Sequence, residues 1–535
     1  MGLFFNYDNS VCNEGTTPVV FSFDPSITSL KELLIYELSQ MAYYEVKLRE
    51  LGEKTETLTD KIINYITLAV VNLDFRKDQF LNMIKNLYNE VESVKQEYIG
   101  VCKLKEIPPE LIIGEKLSFE TKKNGIDAVN FGEKQSIMKN TVFTKNKKLL
   151  SDIAVMLLSN ACLSVTEIEN YGINCGESKY RIPEIMKTVN YDNLTDKALQ
   201  KKIMDFAKTN NDIMKKLNSV IAEKYGPTIE TDVNFSIEKG KCILVSGHYF
   251  KNLEMLLEAA KNENINIYTH NDMLSAHTYE FFQKYKNLKG HYQRSLNNLQ
   301  LDFASFPGAV LITKNSHPHL DVIRGRIFTP DNNPAYGISK ISENDFSPII
   351  QAAKQEQGFV KDVPVATMSI GYNEEDFDRK LADSILNFEK QKYERLFLIG
   401  QLNNSSEQVQ YFEQFLELLP QNTFAISLSY NANKQNIWHI NAYYDFNIAY
   451  KILNRLQKYP AILDKTTVFL TQCGFQTVSH VFNLKILGVK DIYLGECCSS
   501  IINPTMVDGL KKLYKVNKIS NNPQKDLKKI LKKNK

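Results

Sequence analysis

No two cysteines of the 535-residue chain stand in a CxxC pair, and the eight present (positions 12, 102, 162, 175, 242, 473, 497 and 498) form no spaced framework. That removes the cysteine signatures of zinc ribbons, thioredoxin-like redox sites and disulfide-stapled domains. The thiols read as reduced side chains packed as small apolar residues. The adjacent Cys497 and Cys498 read as loop packing before they read as a soft-metal pair. No apolar run approaches the roughly 18 residues of a membrane span. The start, MGLFFNYDNS, lacks a basic, apolar leader, and Asn6 breaks the myristoylation pattern. A cytoplasmic location with no transmembrane segment is the expectation. Phosphate-binding glycine signatures of the GxGxxG and GxxxxGK[ST] types are also missing, as is a GxSxG elbow, so neither a nucleotide site nor a serine-hydrolase site can be argued from motifs. A net charge of +3 is too small to steer nucleic acid by itself.

What is present is globular: 43% hydrophobic and 24% charged residues, at a length that implies two to four domains. Over the first 235 residues the apolar period is helical. In SLKELLIYELSQMAYYEVKLRELG, Leu30, Leu33, Leu34 and Leu38 share a face, Ser29 is placed to cap, and Gly52 stops the run. After that the period shortens. KCILVSGHYF (241–250), INIYTH (265–270) and AVLITK (309–314) read as buried strands separated by helices, and the rhythm returns in PVATMSIG, RLFLIGQ, TFAISLSY, TVFLTQ and DIYLGE. The expected fold is α plus α/β: a helical bundle (1–235), then two Rossmann-like doubly wound parallel-sheet domains (236–358 and 359–514). A lysine-rich C-terminal tail (515–535) follows, with eight lysines and one aspartate.

Doubly wound sheets bind ligands beyond the carboxyl ends of their strands. That rule singles out Gly247 and His248, His270 to Asp272, and Ser316, followed by Gly400 to Asn403, Tyr430 and Asn431, and Cys473 and Gly474. His248, Asp272, Ser316, His317 and His319 are the candidate metal donors, since imidazole and carboxylate on converging loops suit iron or zinc. The two histidines flanking Pro318 point apart in an extended segment and read as exposed loop residues. Cys473 has no basic neighbour to activate it as a nucleophile.

The strand-end residues resemble those of the hybrid cluster proteins, also called prismane proteins or hydroxylamine reductases. LKELLIYELSQMAYYEVKLRELG, AVVNLDF, KYGPTIETDVNFSIEKGKCILVSGHYFKNLEMLLE, INIYTHNDMLSAHTYEFFQKYKNLKGHY, FPGAVLITKNS, RGRIFTP, NDFSPII, RLFLIG and LGVKDIYLGE fall in family order along nearly the whole chain. The resemblance implies two iron–sulfur centres, one on four N-terminal cysteines beginning with CxxC. The other is a hybrid cluster on one histidine, two glutamates and four cysteines. Cys12 alone stands where the first centre needs four thiolates. At the second, His248 matches the histidine and Asp272 replaces the first glutamate one methylene short. Ser316, Leu402, Tyr430 and Tyr443 stand at the cysteine positions, and Gly474 falls at or beside the second glutamate.

Leucine and tyrosine supply no thiolate, so the 4Fe-4S and hybrid clusters are expected to be absent, with the bulky residues repacking the vacated space. The function implied is that of a pseudoenzyme: a catalytically degenerate, cluster-free scaffold or structural component of a larger assembly. A protein partner is expected, and the lysine-rich tail suits an acidic one such as tubulin, nucleic acid or an anionic surface. The alternative is a metal-dependent enzyme with a single zinc or iron at His248 and Asp272. The third reading is the hydroxylamine reductase-like oxidoreductase that the family as a whole implies.

Overall fold

The computed structural model describes residues 24–71, 77–112, 126–135, 137, 143–190, 194–293, 299–314, 316, 325–331, 337–365, 367–400, 406–430, 434–440, 447–471, 475–495 and 504–532. Cys12, His317, His319, Leu402, Asn403, Asn431, Tyr443, Cys473, Gly474, Cys497 and Cys498 lie outside them.

An aspartate followed by proline starts the first helix. The Asp24 carboxylate accepts from Ser26 N at 2.8 Å, and Pro25 fills the first turn, where its missing N–H costs nothing. Asp24, rather than Ser29, is therefore the cap. The bundle comprises α1 (Pro25–Glu50), α2 (Glu56–Val71), α3 (Lys77–Leu104), α4 (Ile126–Gln135), α5 (Lys145–Asn170), the short α6 (Arg181–Met186) and α7 (Asp196–Tyr225). Gly132 of α4 lies so close to α1 that a Cβ would stand 2.0 Å from the Ser29 carbonyl oxygen. The helix α5 corrects one expectation: by length and composition it is apolar enough to cross a membrane. Yet 94% of its most apolar window is buried inside the protein, and it runs through the bundle core.

Beyond the bundle the strands are β1 (Thr231–Val233), β2 (Lys241–Ser246), β3 (Ile265–His270), β4 (Leu288–His291), β5 (Ala309–Ile312), β6 (Ile327–Thr329) and β7 (Ser339–Lys340). They continue with β8 (Met368–Ile370), β9 (Arg395–Ile399), β10 (Thr423–Ser427), β11 (Ile437–His439), β12 (Thr466–Leu470), β13 (Asp491–Leu494) and β14 (Asn517–Lys518). Two six-stranded sheets form, in orders β4-β3-β2-β5-β6-β7 and β11-β10-β9-β12-β13-β14, and every pairing within them is parallel. Each order reverses once, between β2 and β5 and between β9 and β12, and these reversals are the switch points at which doubly wound sheets open a crevice. The segment PVATMSIG does not open the second sheet as expected. Its β8 pairs antiparallel with β1 outside both sheets.

Alternate residues of β2 enter different cores, Ile243 and Val245 on one face and Cys242 and Leu244 on the other, which is why CILV is apolar without a break. In β9, Phe397 and Ile399 face a core of the third unit. Leu396 and Leu398 join the large core shared with α1, α5 and α7. Between these strands Arg395 reaches Asp491 Oδ2 at 2.5 Å, and Thr467 Oγ1 accepts from Arg395 Nε at 2.8 Å.

Residues 515–535 are not a solvated tail as far as residue 532. Asn517–Lys518 form the sheet edge, and the helix Pro523–Lys532 buries Asp526, Leu527 and Ile530 against the helix Ser406–Glu417. Leu527 and Ile530 lie three apart and anchor one side. Lys525, Lys528, Lys529 and Lys532, at spacings i, i+3, i+4 and i+7, are exposed on the other.

Candidate functional site

At the first switch point the chain leaves β2 through Gly247, whose φ of +130° only glycine adopts easily. An added Cβ would stand 2.0 Å from Thr313 Oγ1 and 2.7 Å from Ser316 Oγ, so the loops after β2 and β5 touch because residue 247 has no side chain. Thr313 Oγ1 accepts from the backbone N–H of His248 at 3.1 Å and of Tyr249 at 3.4 Å. With both lone pairs used, its own proton goes to Ser316 Oγ, 3.3 Å away. Ser316 Oγ in turn shares a hydrogen bond with His248 Nδ1 at 2.9 Å. Burial pushes His248 down to about 4, against the opposing influence of Asp272 and Asp331, so the ring is neutral near pH 7.

Asp272 follows β3, one residue after Asn271 at φ +58°, in a 3-10 turn. It is buried, and with His248 it lines a cavity of about 460 Å³ where the bundle, the first sheet and the third unit meet. Space therefore remains at the junction beside these two residues. Tyr430 shows part of the reason. It follows β10, and its ring turns into the core of its own sheet, 1% exposed and 4.9 Å from the Phe412 ring, where the hydroxyl accepts from Gln408 Nε2 at 3.3 Å. It is not among the residues lining the cavity.

Of the family positions that are described, the structure thus brings three together, His248, Asp272 and Ser316, and places Tyr430 apart. It also adds wall residues that the strand-end rule missed. Glu167 lies on α5, where Asn160, Leu163, Ser164 and Glu167 form an i, i+3, i+4, i+7 stripe facing the cavity. Polar residues at that spacing on an otherwise apolar helix were the available signal. Burial raises the Glu167 carboxyl to about 8 and lowers His480, on the helix Phe475–Ile486, to about 3.

The donor chemistry can be tested against the clusters that the family resemblance implies. No cysteine is among the described residues lining the cavity. The described cysteines, Cys102, Cys162, Cys175 and Cys242, are buried elsewhere, and burial pushes the Cys242 thiol up to about 12 and Cys162 higher still. Burial thus favours the protonated thiol at Cys162, Cys175 and Cys242. Among the described residues no group of three or more His, Cys, Asp or Glu is placed to hold a metal ion. Ser316 takes up Nδ1 of His248, which leaves Nε2 as the ring nitrogen for any ligand. Among the described residues, those lining the cavity supply no thiolate set that fits an iron–sulfur centre.

Comparison with known proteins gives the setting. A sequence model described as the Prismane/CO dehydrogenase family matches residues 22–445. A hydroxylamine reductase of Acidiphilium cryptum is 24% identical over 520 residues, covering 93% of this chain and 92% of its own. One from Thermodesulfovibrio yellowstonii is 25% identical over 531 residues, covering 95% and 96%. Among solved structures, a Ni-free carbon monoxide dehydrogenase from Thermococcus sp. AM4 aligns over 97% of this chain and 87% of its own at 12% identity, with a TM-score of 0.46. The alpha subunits of an acetyl-CoA synthase/carbon monoxide dehydrogenase align over 99% and 86% at 11% identity, with a TM-score of 0.48.

Proposed function

Because the chain belongs to the Prismane/CO dehydrogenase family, we propose that it is a cluster-free member, retained as a binding or structural component of a larger assembly rather than as a hydroxylamine reductase. The observation that carries this reading is the 2.9 Å hydrogen bond between Ser316 Oγ and His248 Nδ1. A hydroxyl, a far poorer iron ligand than a thiolate, stands where the resemblance places a cysteine, and it is engaged with the matching histidine. The absence of cysteine from the described cavity wall supports the same reading. The face offered to an acidic partner is the stripe of Lys525, Lys528, Lys529 and Lys532, four exposed ammonium groups on a helix held in place by its buried side.

The test is iron and acid-labile sulfide analysis, with an anaerobic visible spectrum, on protein purified without oxygen. Less than one iron per chain and no charge-transfer absorption are expected. About seven or eight irons, the complement of two clusters, would overturn the proposal.

A second reading has one observation in its favour: His248 and Asp272 face the same cavity, and the Asp272 charge acts on the imidazole. With Nδ1 engaged by Ser316, His248 Nε2 and Asp272 would be the donors for a single zinc or iron with open positions, one protein ligand short of the three usual in catalytic zinc sites. Stoichiometric metal lost in both His248→Ala and Asp272→Ala would establish it, and metal-free wild-type protein would exclude it.

A further inference from the structure

Charge is unevenly shared along the chain. Residues 1–464 hold 52 basic and 58 acidic side chains, whereas residues 465–535 hold 13 lysines and 4 acidic residues. Two of those four are used inside the fold: Asp491 is bound by Arg395, and Asp526 is buried, accepting from the Tyr411 hydroxyl at 2.8 Å and from Ser520 N at 2.6 Å. Among the described residues of this stretch, Asp508 is the one exposed carboxylate, against ten exposed lysines. Of those ten, only Lys490 is in an ion pair among the described residues, with Asp464 at 2.8 Å.

The topology gathers most of these charges in one place. All strands of a parallel sheet begin at the same end, and Lys465, Lys490 and Lys515 stand just before the neighbouring strands β12, β13 and β14. The register sets Lys490 one residue and Lys515 two residues further along than Lys465, so the three start within about 7 Å of one another along the strand direction. Lys511 and Lys512 lie in the last turn of the helix Pro504–Tyr514, which leads into β14 and packs on one face of the sheet. On the other face the helix Pro523–Lys532 returns over Phe397 and Phe469, and its last turn brings Lys529 and Lys532 toward the same end. A lysine-rich corner results where the sheet edge and two helix ends meet.

Composition and shape select among anionic partners. No arginine follows Arg455 in the sequence, so the corner has no guanidinium fork to seat the individual phosphates of a nucleic acid. Both helices present their C-terminal ends, whose carbonyls oppose a phosphate held in close contact. Neither the junction cavity nor the bundle cavity beside Arg49 and Arg181 includes one of these lysines, so neither gives a polymer chain a groove that these charges line. The attraction that suits such a corner acts at a distance, as a dense anionic layer supplies over its whole area. Because the apolar side of Pro523–Lys532 is spent in the core, that helix does not insert, and binding is by charge alone.

We propose that this corner docks the protein on an anionic lipid surface. The inference rests on the reading of the lysine stripe as the face offered to an acidic partner, and it names that partner. Co-sedimentation of the full chain at about 0.1 M salt tests it, with phosphatidylcholine vesicles containing about 30% phosphatidylserine and with pure phosphatidylcholine vesicles. Duplex DNA and polyglutamate are measured alongside.

Each lysine near an anionic surface strengthens binding on the order of fivefold, so the anionic vesicles should be preferred by at least about tenfold, a preference lost at about 0.5 M salt. Changing Lys511, Lys512, Lys529 and Lys532 together to glutamine should weaken binding by at least about tenfold without lowering the melting temperature, since all four are exposed. The same change at Lys197, Lys201, Lys208 and Lys215, exposed on α7, removes equal charge and should leave binding nearly unchanged. Equal losses in the two variants, or equal binding to both kinds of vesicle, would overturn the proposal. Protein that binds DNA or polyglutamate but not the anionic vesicles would refute the lipid assignment and leave the acidic-partner reading standing. Protein that binds none of the three would refute both.

Discussion

Replacing Gly247 by alanine should loosen the first sheet at the point where it presents His248. A non-glycine residue held at a φ near +130° costs about 1–3 kcal/mol in backbone strain. The new methyl would stand 2.0 Å from Thr313 Oγ1, so Thr313 must move. Its hydroxyl then loses the N–H groups of His248 at 3.1 Å and Tyr249 at 3.4 Å. Each such bond contributes about 0.5–1.5 kcal/mol, which brings the total to on the order of 4 kcal/mol. Gly172→Ala is the matched control. Its φ is +80° and nothing lies within 4 Å of the added Cβ, so strain alone applies, at about 1–2 kcal/mol. Hydrogen exchange of the β2 and β5 amides reads the difference: the excess of about 2–3 kcal/mol corresponds to a loss of protection of roughly 30- to 150-fold. Equal protection in the two variants would refute the account of how the β2 and β5 loops are held together.

Ile530, fully buried in the last helix, should cost about 2–5 kcal/mol as Ile530→Ala, read as a lower urea midpoint; an unchanged midpoint would return residues 523–532 to the status of a dispensable tail. Arg395→Met removes the cation from Asp491, which keeps the Thr467 hydroxyl at 2.9 Å, and should destabilise by up to about 3–5 kcal/mol, whereas Arg395→Met with Asp491→Leu should recover most of that in a double-mutant cycle. Acid should weaken the fold through His248 and His277, both pushed down to about 4 by burial. Because the unfolded chain binds these protons from about pH 6.5 downward and the folded chain does not, stability is full above 6.5. It should fall by up to about 1.4 kcal/mol per pH unit for each histidine as the pH drops to 4. A difference in urea midpoint between wild type and His277→Gln that is the same at pH 7 and pH 5 would contradict it. That comparison cancels the opposite slope of carboxyls raised by burial, such as Glu167.

Much of the architecture was legible because period reports burial. CILV in β2 and RLFLI in β9 are apolar throughout because both faces of each sheet are covered, and that pattern separates them from the helices before residue 235. The short edge strands β7, β11 and β14 were not legible. Two or three residues carry no period, and only the neighbouring strand's free N–H and C=O groups make them strands. The helix α5 was legible as a helix but not in its surroundings, since an apolar helix suits a lipid or a protein interior equally well and the amino acids alone do not say which surrounds it.

At the site the division is sharper. Family order and strand ends brought attention to His248, Asp272 and Ser316 from the sequence alone, and residue identity determined that no thiolate stands at Ser316 or Tyr430. Whether those side chains meet depends on strand order. The reversal between β2 and β5 sets two loops 65 residues or more apart in hydrogen-bonding contact, and Tyr430, on the other sheet, turns into a core instead. Glu167 joins the site through the packing of α5 against the helix Phe475–Ile486, more than 300 residues later. A sequence determines what chemistry each residue can offer. Which residues share one enclosed volume, and whether that volume is filled or left open, is decided by long-range packing alone.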